Sequence, residues 1–258
     1  MTRKARDTFA FISADAPDAV EAAARLTAAY GNTPLEQADV VVALGGDGFL
    51  LQTLRETMST GKQVYGMNRG TVGFLMNEFR EDGLRERLHA AVAETIRPLQ
   101  METVLADGAR VSALAINEVA LWRQSYQTAK IRISIDDKVR LDELSCDGVM
   151  VATPAGSTAY NLSAHGPILP LDAPLLALTP VSPFRPRRWR GALIPESAVV
   201  RFDVLEADKR PVNVAADHTE AKSVLSVTVR QSRQHTATLL FDASHSWDER
   251  ILAEQFRY

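Results

Sequence analysis

A glycine-rich loop at the end of an apolar run is the stretch of this chain most suited to chemistry. Residues 40–44 are apolar and mostly β-branched, which predicts a buried strand, and they lead into Gly45-Gly46-Asp47-Gly48. Glycines permit positive φ angles and the close approach of a ligand. Residues 49–55 predict a helix, and a glycine turn at a helix N-terminus can cradle phosphate. Because a carboxylate repels phosphate, Asp47 needs another task, such as holding a metal or orienting an attacking hydroxyl.

The composition is that of an ordinary globular protein, and its 258 residues are enough for two domains. The net charge of -3 disfavours a general nucleic-acid binder. Cys146 is the single cysteine, which excludes an internal disulfide and favours a reducing compartment. No apolar run has the length of a signal-peptide core or a membrane-spanning helix. We therefore expect a cytoplasmic protein with neither nucleic acid nor membrane as a partner.

The first hundred residues alternate between strand and helix patterns. This order predicts a mostly parallel sheet with helices on its faces. The predicted strands are residues 8–13, 39–44 and 63–67, and the predicted helices are residues 17–30, 49–58 and 81–95.

From about Pro98 onwards, strand patterns follow one another, which predicts a β-rich second half. Asp136-Asp137 is a candidate hairpin turn. We expect helices near residues 157–163 and 173–178, a long loop at 180–195 and a terminal helix at 248–256. The predicted strands are residues 100–106, 110–122, 130–135, 139–144, 149–153, 198–205, 211–215, 223–230 and 236–241.

Four segments resemble the NAD kinase family in order and spacing, whereas P-loop, G-x-G-x-x-G and zinc-cluster motifs do not occur. The first segment, Gly45-Gly46-Asp47-Gly48, is shared with 6-phosphofructokinases and diacylglycerol kinases. The last is highly specific to NAD kinases, and the resemblance is to their short bacterial type. In order, the segments are residues 45–48, 68–75 (NRGTVGFL), Asn117-Glu118 and 147–163 (DGVMVATPAGSTAYNLS).

The resemblance implies that ATP phosphorylates the 2′-hydroxyl of the adenosine ribose of NAD, giving NADP. It also implies an α/β plus β fold, in which a Rossmann-like N-terminal α/β domain is followed by a β-rich, sandwich-like domain. The C-terminal segment returns to the first domain, and the active site lies between the two. We place residues 1–98 and about 242–258 in the first domain, and residues 99–241 in the second.

The resemblance makes Asp47 the expected catalytic residue, which engages the 2′-hydroxyl. Since a carboxylate is a weak base towards an alcohol, we expect it to orient the hydroxyl and to take the proton late, in a loose transition state. Gly45, Gly46 and Gly48 would bind the ATP phosphates. Mg²⁺, or another divalent metal, would arrive with the ATP, and no residue is assigned as a metal ligand.

The resemblance also assigns residues to NAD. Asn117 and Glu118 would accept hydrogen bonds from the ribose hydroxyls. The structural alternative for Asn117 and Glu118 is a polar pair at a strand edge, and for Asp147 it is a turn with Gly148. Asp217-His218 is a weaker match to a late family motif near the nicotinamide, and its alternative is an exposed turn. The expected NAD contacts are Asp47, Gly48, Phe74, Asn117, Glu118, Asp147, Thr158, Ala159, Tyr160, Ser163 and His218.

The chain departs from the family pattern at two positions and carries one unusual basic cluster. Phe49 replaces the common threonine after the glycine loop, and Ala155 stands where many relatives carry a hydroxyl. Residues 185–190 (RPRRWR) are strongly basic. Such a run is usually a solvated face. Arg187 and Arg188 are candidates for phosphate contacts.

Three functions are compatible with the residues. The preferred one is an NAD kinase that forms a homodimer or homotetramer. The second is another GGDG-type kinase with a lipid or sugar-phosphate acceptor, which the long fourth segment disfavours. The third is a non-catalytic NAD(P)-binding sensor, which the intact Asp47 disfavours. The sequence leaves the donor (ATP or polyphosphate), the choice of NAD or NADH, and feedback control open.

Overall fold

A computed structural model describes residues 6–70, 73–243 and 256 of the chain. The chain divides into two compact units. The first unit contains residues 1–96 and 235–258, and the second contains residues 97–234. The chain therefore leaves the first unit once and comes back to it once.

The first unit is an α/β unit built on one five-stranded sheet, with strand order β1-β2-β3-β17-β4. The pairs β1–β2, β2–β3 and β3–β17 are parallel, and β4 is antiparallel to β17. Its elements are β1 (Phe9–Ser13), α1 (Pro17–Tyr30), β2 (Val40–Gly45), α2 (Asp47–Thr57), a 3₁₀ turn (Met58–Thr60), β3 (Gln63–Asn68), α3 (Leu84–Ala90), β4 (Val92–Ile96) and β17 (Ala237–Phe241).

Local sequence explains the elements that carry the glycine loop. Helix α1 starts with Pro17, whose missing N–H costs nothing at that position, and it ends at Gly31 with φ of 75°. Every residue of β2 is buried, as a central parallel strand requires. Strand β2 therefore delivers the glycine loop to the carboxyl end of the sheet.

The second unit is a sandwich of two six-stranded sheets, and neighbouring strands in both sheets are antiparallel. The orders are β12-β11-β10-β7-β14-β15 and β6-β5-β16-β13-β8-β9. One core joins both sheets, for example through Leu121 and Val151 of the first and Ile131 and Phe202 of the second. The strands are β5 (Leu99–Leu105), β6 (Arg110–Ala115), β7 (Glu118–Arg123), β8 (Ala129–Ile135), β9 (Lys138–Cys146), β10 (Gly148–Ala152), β11 (Leu175–Val181), β12 (Ala192–Pro195), β13 (Val200–Val204), β14 (Val212–Ala216), β15 (Thr219–Ala221) and β16 (Val224–Gln231).

The α/β unit followed by a β-sandwich, with a returning C-terminal segment, confirms the predicted fold class. The hairpin turn at Asp136-Asp137 is also confirmed, since both residues have positive φ and connect β8 to β9. The strand predicted at residues 236–241 exists, but its placement in the β-rich domain was wrong. It pairs with β3 and β4 in the sheet of the first unit.

Four other predicted elements were wrong. The helix at 81–95 is only Leu84–Ala90, because the next residues pair with β17 as β4. The helix at 173–178 is strand β11, whose apolar run is buried between β10 and β12. The single strand at 110–122 is broken at residues 116–117 into β6 and β7. The loop at 180–195 ends in β12. The terminal helix at 248–256 lies outside the described residues except for Phe256.

Candidate functional site

The glycine loop forms the N-terminus of α2 in the first unit. Gly46 is the residue that precedes the helix, with φ of -112° and ψ of -177°, and Asp47 lies in the first turn. Gly45, Gly46 and Gly48 all avoid the left-handed region. The loop therefore makes no use of the positive φ angles that glycine permits.

Two of these glycines border open space, whereas the third is packed. A Cβ atom added at Gly46 or at Gly48 would meet nothing within 4 Å. At Gly45 it would lie 3.1 Å from the Cβ atom of Phe49 and 3.3 Å from that of Ala14. The loop thus offers an open approach to the helix N-terminus, whose amides and dipole favour an anion such as phosphate. Phe49 packs against Gly45 of the loop.

The carboxylate of Asp47 is held in place by the segment that follows β3. Its Oδ2 accepts a hydrogen bond from the backbone N–H of Phe74 at 2.7 Å, and its Oδ1 accepts one from Leu75 at 3.1 Å. Gly73 lies so close that an added Cβ would be 2.9 Å from Oδ1. Asp47 is only partly buried. The two amides therefore fix the orientation of the carboxylate.

Asn117 and Glu118 lie in the second unit, where β6 ends and β7 begins. The carboxylate of Asp217, which follows β14, accepts hydrogen bonds from three consecutive backbone N–H groups there. The donors are Ile116 at 2.7 Å, Asn117 at 3.0 Å and Glu118 at 3.2 Å. Within the described residues, the side chains of Asn117 and Glu118 make no hydrogen bond of their own. Both remain available to a ligand.

Glu118 is in an electrostatically unusual position. Burial, with a smaller contribution from the charge of Asp217, raises the pKa of Glu118 from 4.5 to about 7. Its Oε2 atom is buried and has no hydrogen-bond partner among the described residues. A buried polar atom without a partner is costly, so it marks a place where a ligand donor would be favourable.

The chain packs closely against this pair just after β10. The backbone N–H of Thr153 donates to the carbonyl of Asn117 at 2.9 Å, and the Thr153 hydroxyl donates to the carbonyl of Ile116 at 2.6 Å. A Cβ added at Gly156 would lie 2.2 Å from the Asn117 carbonyl oxygen. Only glycine permits this contact. The segment that follows is thereby fixed next to Asn117.

The remaining predicted NAD contacts on this segment differ in exposure. Thr158 is buried in a 3₁₀ turn, Ala159 is half-buried, and both Tyr160 and Ser163 are exposed in the short helix α4 (Tyr160–Ser163). Tyr160 is 43% exposed, so its ring is free to stack on a ligand.

Two other predicted NAD contacts lie on different segments. Exposed His218 lies beside Asp217 in the turn between β14 and β15. In the first unit, Phe74 is half-buried and adjoins Asp47 through its backbone.

Asp147 lies at the other end of β10. Its Oδ1 accepts a hydrogen bond from Arg123 Nε at 2.6 Å, at the far end of β7. Since Ala152 pairs with Glu118, five residues separate Asp147 from the Glu118 level, which is about 17 Å along a strand. The structure therefore does not bring Asp147 together with Asn117 and Glu118 in one chain.

The basic cluster of residues 185–190 lies at the Asp147 end as well. The backbone of Arg185 pairs with Ser145. Arg187 and Arg188 are exposed, and Arg187 lies over the Phe184 ring at 5.3 Å. Neither forms an ion pair with the residues that the structure describes. Their proposed phosphate contact stays a prediction.

Three residues important to these geometries were missed or undervalued by the sequence analysis. Asp217 was considered only as a weak match or an exposed turn. Arg123 had no signal, because its partner is on another strand. Asn161 is fully buried and bonds to Ser157, Pro167 and Thr179, so it fixes the segment after Gly156. Ser157 does not cap α4, since its hydroxyl bonds to Pro154 and Leu169.

Among the described residues, no group of three or more His, Cys, Asp and Glu side chains is arranged to hold a metal ion. No helix within the same residues has the length and apolar character needed to cross a bilayer.

Comparisons with known proteins match these features. The family model of the ATP-NAD kinase C-terminal domain matches residues 116–246. An NAD kinase of Mesorhizobium japonicum is 75% identical over 254 residues, covering 98% of this chain and 99% of its own. An NAD kinase of Brucella suis is 64% identical over 248 residues, covering 96% of each chain.

Two solved structures share the fold at 21% sequence identity. Yeast NADH kinase complexed with NADH superposes with a TM-score of 0.84, covering 98% of this chain and 89% of its own. The NAD kinase of Archaeoglobus fulgidus in complex with ATP superposes with a TM-score of 0.77, covering 96% and 98%.

Together, the α/β unit with its GGDG loop and the β-sandwich define a kinase. The identity over nearly the full length then makes the assignment specific. The chain belongs to the NAD kinase family.

Proposed function

We propose that this protein transfers the γ-phosphoryl group of ATP to the 2′-hydroxyl of the adenosine ribose of NAD, and that Asp47 addresses that hydroxyl. The observation that carries the role of Asp47 is its fixed carboxylate at a helix N-terminus flanked by the open glycines Gly46 and Gly48. An acid that is held by two amides and is partly exposed presents its carboxylate in a defined direction.

Asp47 contributes by orientation more than by base strength. A carboxylate is a poor base towards an alcohol, but in a loose phosphoryl transfer the nucleophile loses its proton late. Asp47 therefore aligns the hydroxyl and receives the proton as the new P–O bond forms. The amides at Gly46 and Gly48 stabilise charge on the phosphate oxygens. A divalent metal such as Mg²⁺, bound with the ATP, would neutralise phosphate charge, and no described residue is assigned as its ligand.

Asn117 and Glu118 hold the dinucleotide by its ribose hydroxyls. A vicinal diol presents two donors, and the amide oxygen of Asn117 and the carboxylate of Glu118 are acceptors without other partners among the described residues. A ligand hydroxyl would satisfy the buried Oε2 atom of Glu118. Thr158, Ala159, Tyr160, Ser163 and His218 line the same proposed site.

The replacement Asp47→Asn tests the assignment of Asp47. It keeps the shape and should reduce the kcat of NADP formation by at least about 100-fold, because the acceptor hydroxyl loses its proton acceptor. NADP is detected with a coupled dehydrogenase, and NAD binding is measured separately by calorimetry. Asp82→Asn is the matched control, since Asp82 is exposed and makes no hydrogen bond within the described residues. Full activity of Asp47→Asn would refute the role of Asp47.

The same assay with other substrates separates the alternatives. Turnover with a lipid or a sugar phosphate in place of NAD would identify another GGDG-type kinase. NAD binding without turnover under ATP or polyphosphate would identify a sensor. Comparing ATP with polyphosphate and NAD with NADH also settles the donor and the acceptor form.

We further propose that the protein works as a homo-oligomer. Asp147 lies about 17 Å along the strand from the level of Glu118, so a second copy offers a way for an Asp147 carboxylate to contribute to the NAD site. Mass photometry should detect a dimer or a tetramer at working concentration, and a monomer with full activity would contradict this proposal. A cytoplasmic location stays a prediction.

A further inference from the structure

We propose that Asp217 is the positioning residue for the Asn117–Glu118 pair, fixing both the backbone and the charge state that the dinucleotide meets. This inference rests on the proposed function, since it assumes that the pair binds NAD. The resemblance placed the pair Asp217-His218 near the nicotinamide and gave Asp217 no role towards Asn117 and Glu118.

The first part of the argument is the hydrogen bonding. Between β6 and β7, the backbone N–H groups of residues 116–118 point to the carboxylate of Asp217, at 2.7 to 3.2 Å. The backbone N–H of Asp217 in turn donates to the Glu118 carbonyl at 3.1 Å. Hydrogen bonds to an ionised acceptor are stronger than neutral ones. The strand break that exposes Asn117 and Glu118 is therefore built around this one carboxylate.

The backbone of Asp217 is adapted to this task. Its φ is 49°, in the left-handed region that only glycine, asparagine and aspartate visit readily. An exposed turn would tolerate glycine or asparagine in that conformation. Only a carboxylate supplies two acceptor oxygens to three amides at once.

The second part of the argument is electrostatic. The strand ends that flank Glu118 carry Ala152 on β10 and Ala216 on β14, neither of which is charged. His218 is next to Asp217 but exposed. The charge that acts on Glu118 is that of Asp217, which adds to burial in raising the pKa of Glu118 to about 7. Ionised Glu118 is the stronger acceptor for the hydroxyls of a diol, so NAD affinity should fall as the pH drops below about 7.

The test is Asp217→Asn, measured as KM for NAD, KM for ATP and the pH profile of kcat/KM for NAD between pH 5.5 and 8.5. The asparagine side chain carries no charge, and its NH₂ group would face backbone N–H groups that the Asp217 carboxylate accepts from. We expect KM for NAD to rise about tenfold or more, with KM for ATP within twofold. The acid limb of the profile should move to lower pH, because Glu118 then ionises more easily. A purely structural role would lower the thermal midpoint and leave that limb in place.

Two further variants keep the proposal falsifiable. Asp217→Glu retains the charge but displaces the oxygens, so KM for NAD should rise while the acid limb stays where it is. If Asp217→Asn does not fold, Asp217→Glu tests the proposal by itself. An unchanged KM for NAD in either variant overturns the proposal. Asp107→Asn is the matched control, because Asp107 also bonds a turn amide, at 2.9 Å from Ala109, and is exposed. It should change none of these values.

Glu118→Gln separates this proposal from the proposed function. It should raise KM for NAD and abolish the acid limb. If Glu118→Gln leaves KM for NAD at the wild-type value, the assignment of Glu118 to the NAD site is wrong. If it abolishes the limb but Asp217→Asn does not move it, Glu118 is confirmed and the role of Asp217 is refuted.

Discussion

Glycines in this protein serve two opposite purposes at the level of single residues. Gly156 is required because the Asn117 carbonyl oxygen occupies the space of its side chain, at 2.2 Å from an added Cβ. Gly46 and Gly48 border open space instead. A glycine whose missing side chain leaves a void at a helix N-terminus is one that a ligand can use.

This difference predicts different outcomes for alanine. Gly48→Ala should leave the thermal midpoint unchanged or raised, because the space is free and alanine favours a helix by about 1 kcal/mol over glycine. Gly46→Ala should cost no more than about 1 kcal/mol, since glycine is the better residue immediately before a helix. Both should raise KM for ATP about tenfold or more, since the methyl group would occupy the proposed phosphate position. Gly156→Ala should instead lower stability by about 1–3 kcal/mol, as overpacking does. Thermal unfolding and steady-state kinetics on the same preparations check both; unchanged KM for ATP in the first pair would contradict a phosphate role.

The sequence predicts the site features that depend on neighbouring residues, and it misses those that depend on residues far apart in the chain. The fixed carboxylate of Asp47 and the polar pair Asn117–Glu118 stand out locally, as an acid among glycines and as a break in strand alternation. Asp217 and Arg123 act on residues about 100 and 24 positions away in the chain. No local pattern encodes such partners, so only the folded sheets show them.

At the level of elements, strand β17 is what completes the sheet of the first unit. It lies between β3 and β4, and β4 has no other strand partner among the described residues. The buried Asn77 fixes β17 by donating to the Leu240 carbonyl at 2.9 Å and accepting from the Asp242 N–H at 3.0 Å. Asp242 also forms an ion pair with Arg87 at 2.7 Å.

The ion pair of Arg87 and Asp242 should be worth far more than a surface pair. Their side chains are only 16% and 12% exposed, and Tyr65 also donates to the Asp242 carboxylate at 2.6 Å. Asp242→Ala leaves a largely buried guanidinium without this partner, so we expect a loss of about 3 kcal/mol in the free energy of unfolding. Asp203→Ala is the control, because Arg201 and Asp203 are 51% and 29% exposed at the same distance. It should cost less than about 1 kcal/mol in urea unfolding. Equal losses would contradict the argument.

Element prediction succeeded where periodicity and end signals agree. Helix α1 has a proline at its start, a glycine at its end and apolar residues at helical spacing. It failed at β4 and β11, where short apolar segments are compatible with either state. Their state is decided by pairing, β4 with β17 more than 140 residues later and β11 with β10. Such pairing is not visible in the local pattern.

At the level of the whole molecule, the two units differ in how the chain builds them. The second unit is one continuous segment, residues 97–234, whereas the first needs residues from both ends of the chain. A fragment of residues 97–234 should therefore fold alone and unfold cooperatively. A fragment of residues 1–96 lacks β17, which leaves β4 unpaired, and should not fold. Circular dichroism and thermal melts of the two fragments check this, and a cooperatively folded 1–96 fragment would contradict it.

The raised pKa of Glu118 links the proposed NAD site to the stability of the whole protein. Because its folded pKa of about 7 exceeds the ordinary 4.5, the folded state binds the proton more tightly than the unfolded state. Its contribution to the free energy of unfolding is therefore greatest below about pH 4.5 and is lost as the pH rises through 7. Glu118→Gln removes this pH-dependent loss. The free energy of unfolding of the variant, relative to the wild type, should therefore grow between pH 4.5 and 7 by at most about 3 kcal/mol, and then stay constant.

Saturating NAD should stabilise the wild type more than the variant, since the ribose hydroxyls satisfy the buried carboxylate. Urea unfolding of both proteins from pH 4.5 to 8, with and without NAD, measures these differences. A stability gap independent of pH would show that folding does not raise the pKa of Glu118.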